Sequence, residues 1–226
     1  MLFGEIVEPS TRALIDEDFD EYPEVTESSP EWQGAREVPN EINTLVFIET
    51  DKVKKLFHSC VLQERKAVAR IKNGGVEISD IGNRKYVVTF SEKRDLTYGQ
   101  ITESLKDWIK TAKNVYTITS DSISNYQNIN LPEKPFSLIR VLTNDTTNSF
   151  GYERLESPNL ISGFGASVLT YCIHLGIKCT LFITYVDTSP LDSVNMGPLI
   201  GLLERIEIPI THNELKITTS ASNLYM

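Results

Sequence analysis

The sequence predicts an α/β/α sandwich built on a mostly parallel or mixed central sheet. Three observations lead there. Strand-like and helix-like segments alternate between residues 42 and 206. One late segment, Cys179 to Val186, is apolar almost without a break, as strands covered on both faces are. Helical patterns flank it in the sequence, so helices are available for both faces of a sheet.

Taken in order, Thr44 to Ile48 reads as a first strand, and residues 52–66 hold a weaker helical pattern. Lys85 to Phe90 is a strand, preceded by a turn signal at Gly82-Asn83. Residues 97–113 suit a helix, because Ile101, Leu105, Trp108, Ile109 and Ala112 recur at spacings of three and four. Val115 to Thr119 and Phe136 to Leu142 follow as strands, separated by a polar loop over 120–135 with two prolines. A helix over 159–175 is entered at Ser157-Pro158-Asn159. Its apolar stripe is Ile161, Phe164, Val168, Cys172 and Leu175, and Gly176 stops it. A final helix over roughly 191–205 follows Pro190, with Asp192 or Ser189 suited to cap it.

The 226 residues are 40% hydrophobic and 23% charged, ordinary for a globular chain. The formal net charge of −9 is unevenly placed. Residues 16–41 hold ten acids and one base, Arg36; the remaining residues balance at 21 acids and 21 bases. Four zones are expected: an N-terminal head over 1–15, a flexible acidic segment over 16–41, a folded body over 42–206 and a flexible polar tail over 207–226. The acidic segment contains Pro23, Pro30 and Pro39, shows no period, and is too polar to offset its ordering entropy. A balanced body with an acidic segment has no electrostatic attraction for nucleic acid or an anionic membrane. No apolar run approaches the ~18 residues that cross a bilayer. Met1 to Glu5 lacks the marks of a secretion signal, so a cytoplasmic chain with access to the nucleus is expected. Cys60, Cys172 and Cys179 fit that compartment as reduced, mostly buried thiols.

The search for a catalytic or metal site is largely negative. His58 and Cys60 are two apart, as are Cys172 and His174, a spacing that points side chains to different helix faces. Gly163-Phe164-Gly165 begins like a dinucleotide-binding turn, but Val168 replaces its third glycine and the run lies inside the expected helix. Close packing of that helix on the sheet is the plainer reading. Gly165-Ala166-Ser167 lacks the second glycine of a nucleophile elbow. Asp187 and Asp192 follow the buried strand, where α/β proteins often place sites, but helix capping suits Asp192 as well. No phosphate-loop motif is present. The expectation is a binding protein rather than an enzyme, with no cofactor and no metal.

The C-terminus differs in kind. Residues 211–223 are rich in Thr, Ser and Asn, and then come Leu224, Tyr225 and Met226. Such an ending arises by chance, packs back on the body, or serves as a plug. As a plug it has the form hydrophobic-tyrosine-any, found on proteins that dock into pockets of the proteasome α-ring. Leu224 would supply apolar burial, the Tyr225 ring a wedge with a hydrogen-bonding hydroxyl, and Met226 its terminal carboxylate for a pocket lysine.

Other stretches point the same way. Phe3-Gly4-Glu5-Ile6-Val7 followed by an acidic run, Leu155 to Leu160 leading into Ala166 to Cys172, the strand ending Tyr185-Val186-Asp187, and Ile217 to Met226 together resemble the proteasome assembly chaperone 1 family. Residues 42–150 match it only loosely. The resemblance implies an α/β/α sandwich, phosphorylase-like in class, with no nucleotide or metal. It implies a heterodimer with proteasome assembly chaperone 2 that binds 20S proteasome α-subunits, promotes α-ring formation, blocks wrong pairing of rings and keeps activators away. Carried over onto matching positions, Leu224, Tyr225 and Met226 become the ring-docking residues. A proteasome activator using the same tail, and an α/β enzyme with an unrecognised site, are the competing readings.

Overall fold

A computed structural model describes residues 29–34, 37–63, 65–91, 94–128, 137–145, 150–187 and 193–211. They form one mixed sheet of eight strands between two helical layers. The strands are β1 (Trp32–Gly34), β2 (Ile42–Ile48), β3 (Ala67–Ile71), β4 (Val76–Gly82), β5 (Lys85–Phe90), β6 (Ala112–Ser122), β7 (Ser137–Thr143) and β8 (Cys179–Val186). Their order is β1-β3-β4-β5-β2-β6-β8-β7. The middle, β5-β2-β6-β8, is parallel, and the flanks are antiparallel. The helices are α1 (Asp51–Phe57), α2 (Tyr98–Ser104), α3 (Lys106–Thr111), α4 (Phe164–Leu175) and α5 (Ser193–Arg205).

Alternation along the strands splits the interior in two. Leu45 and Phe47 of β2 face a core shared with Ile101, Leu105, Trp108, Phe164 and Cys172, from α2 to α4. Val46 and Ile48 face the other side, against Val53, Leu56, Phe57, Leu199 and Leu202. α1 and α5 build that second layer. β8 is buried at every position, between β6 and β7, as its almost continuous apolar run predicts. Phe164 is wholly buried among Phe47, Phe90 and Tyr98, with ring centroids 5.7, 4.7 and 6.1 Å away.

Several elements differ from expectation for physical reasons. α4 begins at Phe164, not at 159. Its first amides are held by a carboxylate from another element: Phe164 N–H donates to Glu49 Oε1 (2.7 Å) and Gly165 N–H to Glu49 Oε2 (3.0 Å). Gly163, at φ +102°, turns the chain into the helix beside it. At that φ any side chain is strained, and a Cβ would lie 2.0 Å from Glu49 Oε1, so the carboxylate would have to move off the helix start. The helix expected over 97–113 breaks at Leu105 into α2 and α3, and Ala112 already belongs to β6. Thr97 and Gln100 cap α2 reciprocally. The helix expected over 52–66 ends at Phe57 and continues as one wide turn over His58–Leu62. β6 runs on to Ser122 into the expected loop.

β3 and β4 were not expected as strands. They form a hairpin around Gly74-Gly75, then a second hairpin with β5. Part of the stretch expected to be flexible is ordered: Trp32 to Gly34 pairs with β3, and Glu41 bridges Arg84 and Lys113. The acids of residues 16–28 lie outside the described residues, as does the whole head, 1–15. At the other end the body extends past 206. Ile208 is buried, and Thr211 N–H donates to Cys60 O (2.8 Å).

Two outcomes check this architecture. Phe164→Ala empties the aromatic cluster and is expected to cost about 3–5 kcal/mol in denaturant unfolding. Gly163→Ala strains the backbone and collides with Glu49, so a loss of at least about 2 kcal/mol is expected, and Glu49→Gln keeps an acceptor for one amide but turns its NH2 toward the other, for a loss of about 1.5–3 kcal/mol.

Candidate functional site

The parallel strands end at the level of Glu49, where open α/β sheets hold their ligands. The N-terminus of α4 opens there, with the partial positive charge that attracts anions. In this chain the position is filled from within by the Glu49 carboxylate, which takes two α4 amides. The neighbouring polar groups also satisfy one another. Thr50 Oγ1 meets Ser120 Oγ at 2.7 Å and accepts the Ser120 N–H at 3.1 Å. The Lys52 ammonium donates to the Asp187 carbonyl. A phosphate would have to displace Glu49, so the Gly163-Phe164-Gly165 run serves packing. A Cβ on Gly165 would approach Leu181 Cδ1 and Glu49 Oε2 at 3.0 Å each.

The remaining candidates stay apart. Ser167 lies within α4 and exchanges a 3.2 Å hydrogen bond with Thr102, not on a strained turn. Cys60 and Cys172 are buried while His58 and His174 are exposed, so neither pair converges. Among the described residues no group of three His, Cys, Asp or Glu could hold a metal ion. Burial pushes the Cys60 thiol up to about 11. A hydrogen bond with Cys172, together with burial, pushes Cys179 well above the usual thiol range. These are packing thiols rather than nucleophiles. Among the described residues no helix is long and apolar enough to cross a membrane.

A braced loop, residues 150–163, precedes α4 and reaches this end of the sheet at Asn159 and Leu160. Arg140 of β7 is its centre. Its guanidinium reaches Glu153 Oε2 at 2.8 Å, Glu156 Oε2 at 3.4 Å and the Tyr126 hydroxyl at 2.9 Å. Tyr126 donates to Glu156, which also accepts from Asn128 at 2.7 Å. Burial works to raise Glu156. Hydrogen bonds from Tyr126 and its own backbone, with the Arg140 charge, bring it below the usual carboxylate range. Asn159 pairs twice with the Gln127 backbone, at 2.8 Å each way. The braced loop ends in Leu160, which is 91% exposed. An apolar side chain on a fixed backbone loses little entropy on meeting a partner. Sequence reading missed it, because Leu160 was placed inside a helix. The partners of Glu49 and Arg140 are similarly distant in sequence, and no local signal announces them.

Leu224, Tyr225 and Met226 lie outside the described residues. Thr211, the last described residue before them, lies beside Cys60. Lys85, the first residue of β5, donates to the Glu207 carbonyl. β5 runs parallel to β2, so this point lies at the N-terminal end of the parallel strands, opposite Leu160. Fifteen residues remain after Thr211 and reach at most about 50 Å when extended.

Known proteins match this chain in three ways. A family model described as proteasome assembly chaperone 4 matches residues 93–222. Proteasome assembly chaperone 1 of Xenopus laevis is 29% identical over 133 residues, covering 52% of this chain and 45% of that protein. The chain thus spans less than half the length of the curated relatives it matches. The fold is shared with Pyrococcus furiosus PbaA, an archaeal homolog of proteasome-assembly chaperone, at a TM-score of 0.52 and 11% identity over 77% of this chain and 86% of that one. It is also shared with Pyrococcus furiosus PbaB, an archaeal proteasome activator, at a TM-score of 0.57 and 7% identity over 81% and 91%. The family match takes in α2, α3, the central strands β6 and β8, the braced loop, α4 and most of the tail, more than half of the sequence, and on that ground the chain belongs to the proteasome assembly chaperone family.

Proposed function

We propose that this chain promotes assembly of the 20S proteasome α-ring as one half of a heterodimer with proteasome assembly chaperone 2. On this reading the C-terminal tail docks Leu224, Tyr225 and the Met226 carboxylate into a pocket of the ring. The bound chaperone blocks off-pathway pairing of rings. It works in the cytoplasm with access to the nucleus. The observation that carries the proposal is the family match joined to the hydrophobic-tyrosine-any ending. The internally filled sheet end supports binding over catalysis, because the place where relatives of such folds hold ligands is occupied by Glu49.

The exits from the body fit a protein with two different neighbours. Thr211, from which the tail continues, lies at one end of the parallel strands, and the braced Leu160 loop stands at the other. A docked tail therefore leaves the Leu160 end available for the partner chaperone. A three-residue plug binds modestly by itself, and a second contact raises its effective concentration. A proteasome activator using the same tail is the second reading, favoured by the shared fold of the archaeal activator.

Two experiments separate these readings and their parts. Removing Leu224 to Met226 is expected to weaken capture of free α-subunits by at least roughly tenfold, with the unfolding midpoint unchanged. Equal capture would sink the plug, and preference for mature particles would favour the activator. Leu160→Asp, at an exposed position, is expected to leave stability within about 0.5 kcal/mol while lowering co-purification with the partner chaperone. Undiminished co-purification would remove Leu160 from that contact.

A further inference from the structure

A cleft of about 300 Å³ opens on the α1 side of the sheet, over the end of β3, the start of β4 and the end of β5. Lys54 and His58 line one wall, Arg70, Lys72 and Glu77 the other, with Thr89 to Ser91 between. Cations outnumber anions on these walls, against the −9 of the whole chain. Lys54 is held by Asp51 at 2.7 Å and by the Phe90 carbonyl at 3.1 Å. Arg70 faces Glu77 at 3.1 Å. The Lys72 ammonium has no carboxylate partner among the described residues.

The chain itself enters the fold at the rim of this cleft. Glu31 O accepts the Lys72 N–H at 2.9 Å. Asn73 clasps the same segment, donating to Ser29 O (2.8 Å) and accepting from the Glu31 N–H (3.0 Å). Immediately upstream lie residues 16–28, with seven acids (Asp16, Glu17, Asp18, Asp20, Glu21, Glu24 and Glu27) and no base. Thirteen residues span up to about 45 Å when extended, several times what the cleft requires. The tether at Asn73 gives the acids a high effective concentration over Lys72 and Arg70.

We propose that the acidic segment 16–28 seats in this cleft in cis, its carboxylates facing Lys72, Arg70 and Lys54. The inference rests on the cleft and the charge pattern, and stands independently of the proposed docking to a ring.

Carbodiimide coupling of the full chain at low salt tests it, because that reagent joins only carboxylates and amines in contact. Amide links from residues 16–28 are expected to concentrate on Lys72 and Lys54, and to spare Lys106 and Lys110 on the opposite layer. Their yield should not fall on dilution. Arg70→Glu, at a half-exposed position, should cut the yield at the unchanged Lys72 by roughly threefold or more. Links spread evenly over the surface lysines would overturn the proposal, as would a yield indifferent to Arg70→Glu. In a mixture of isotope-labelled and unlabelled protein, links between two copies would also overturn it, assigning the cleft to a second molecule's segment.

Discussion

Glu49 joins the two halves of this molecule at one point. It follows the last residue of β2, and its two carboxylate oxygens take the first two amides of α4, which lies 115 residues away. Charge-assisted hydrogen bonds of this kind contribute about 1.5–3 kcal/mol each, against a total stability of about 5–15 kcal/mol. The geometry has further consequences. Fixing where α4 begins fixes where Phe164 enters the aromatic cluster with Phe47, Phe90 and Tyr98. It also keeps residues 159–163 out of the helix, and so leaves Leu160 in the loop before it.

The same contact decides what this surface offers. An empty helix N-terminus over a parallel sheet invites an anion, and the chain supplies its own. The sheet edges are closed as well. β7 is shielded on its outer side by Val141 N–H to Glu153 O and Leu155 N–H to Val141 O, at 3.0 and 2.9 Å. At the opposite edge, β1 is only three residues long. Neither edge presents the long unpaired strand that recruits another chain by strand addition. What remains for recognition is a braced loop, a cleft with an excess of cations, and two terminal segments.

Much of this architecture was legible in the sequence, and the failures share a cause. β8 could be read at once, because eight consecutive buried positions leave one pattern open to them. α3 and α4 were visible through Trp108, Ile109, Val168 and Cys172 at helical spacing. β3 and β4 were obscured because they are short and register shifts between Ala67 and Ala69 and between Asp80 and Gly82 interrupt their alternation, although Gly74-Gly75 between Ile71 and Val76 is a hairpin signal. The start of α4 was placed five residues early because Ser157-Pro158-Asn159 is a good local entry signal. A carboxylate from β2 outweighs that local preference, and sequence spacing carries no record of it. The Arg140, Tyr126 and Glu156 cluster was unreadable for the same reason. The terminal triplet, whose docking role is a proposal, stands out for the opposite reason, since its three residues are consecutive.

Function in such a protein follows from separable contacts of moderate strength. An assembly factor has to leave when its product is complete, so a single tight interface would work against it. A tail of three anchoring residues loses affinity steeply once its supporting contact is gone, because the binding of each depends on the effective concentration set by the other. On the proposed reading, the tail at one end and the Leu160 loop at the other divide that dependence between ring and partner. The fold then needs no chemistry of its own. Its requirement is a body stiff enough to keep both ends at a fixed separation, and the Glu49 clasp, the paired cores and the Arg140 brace supply that stiffness.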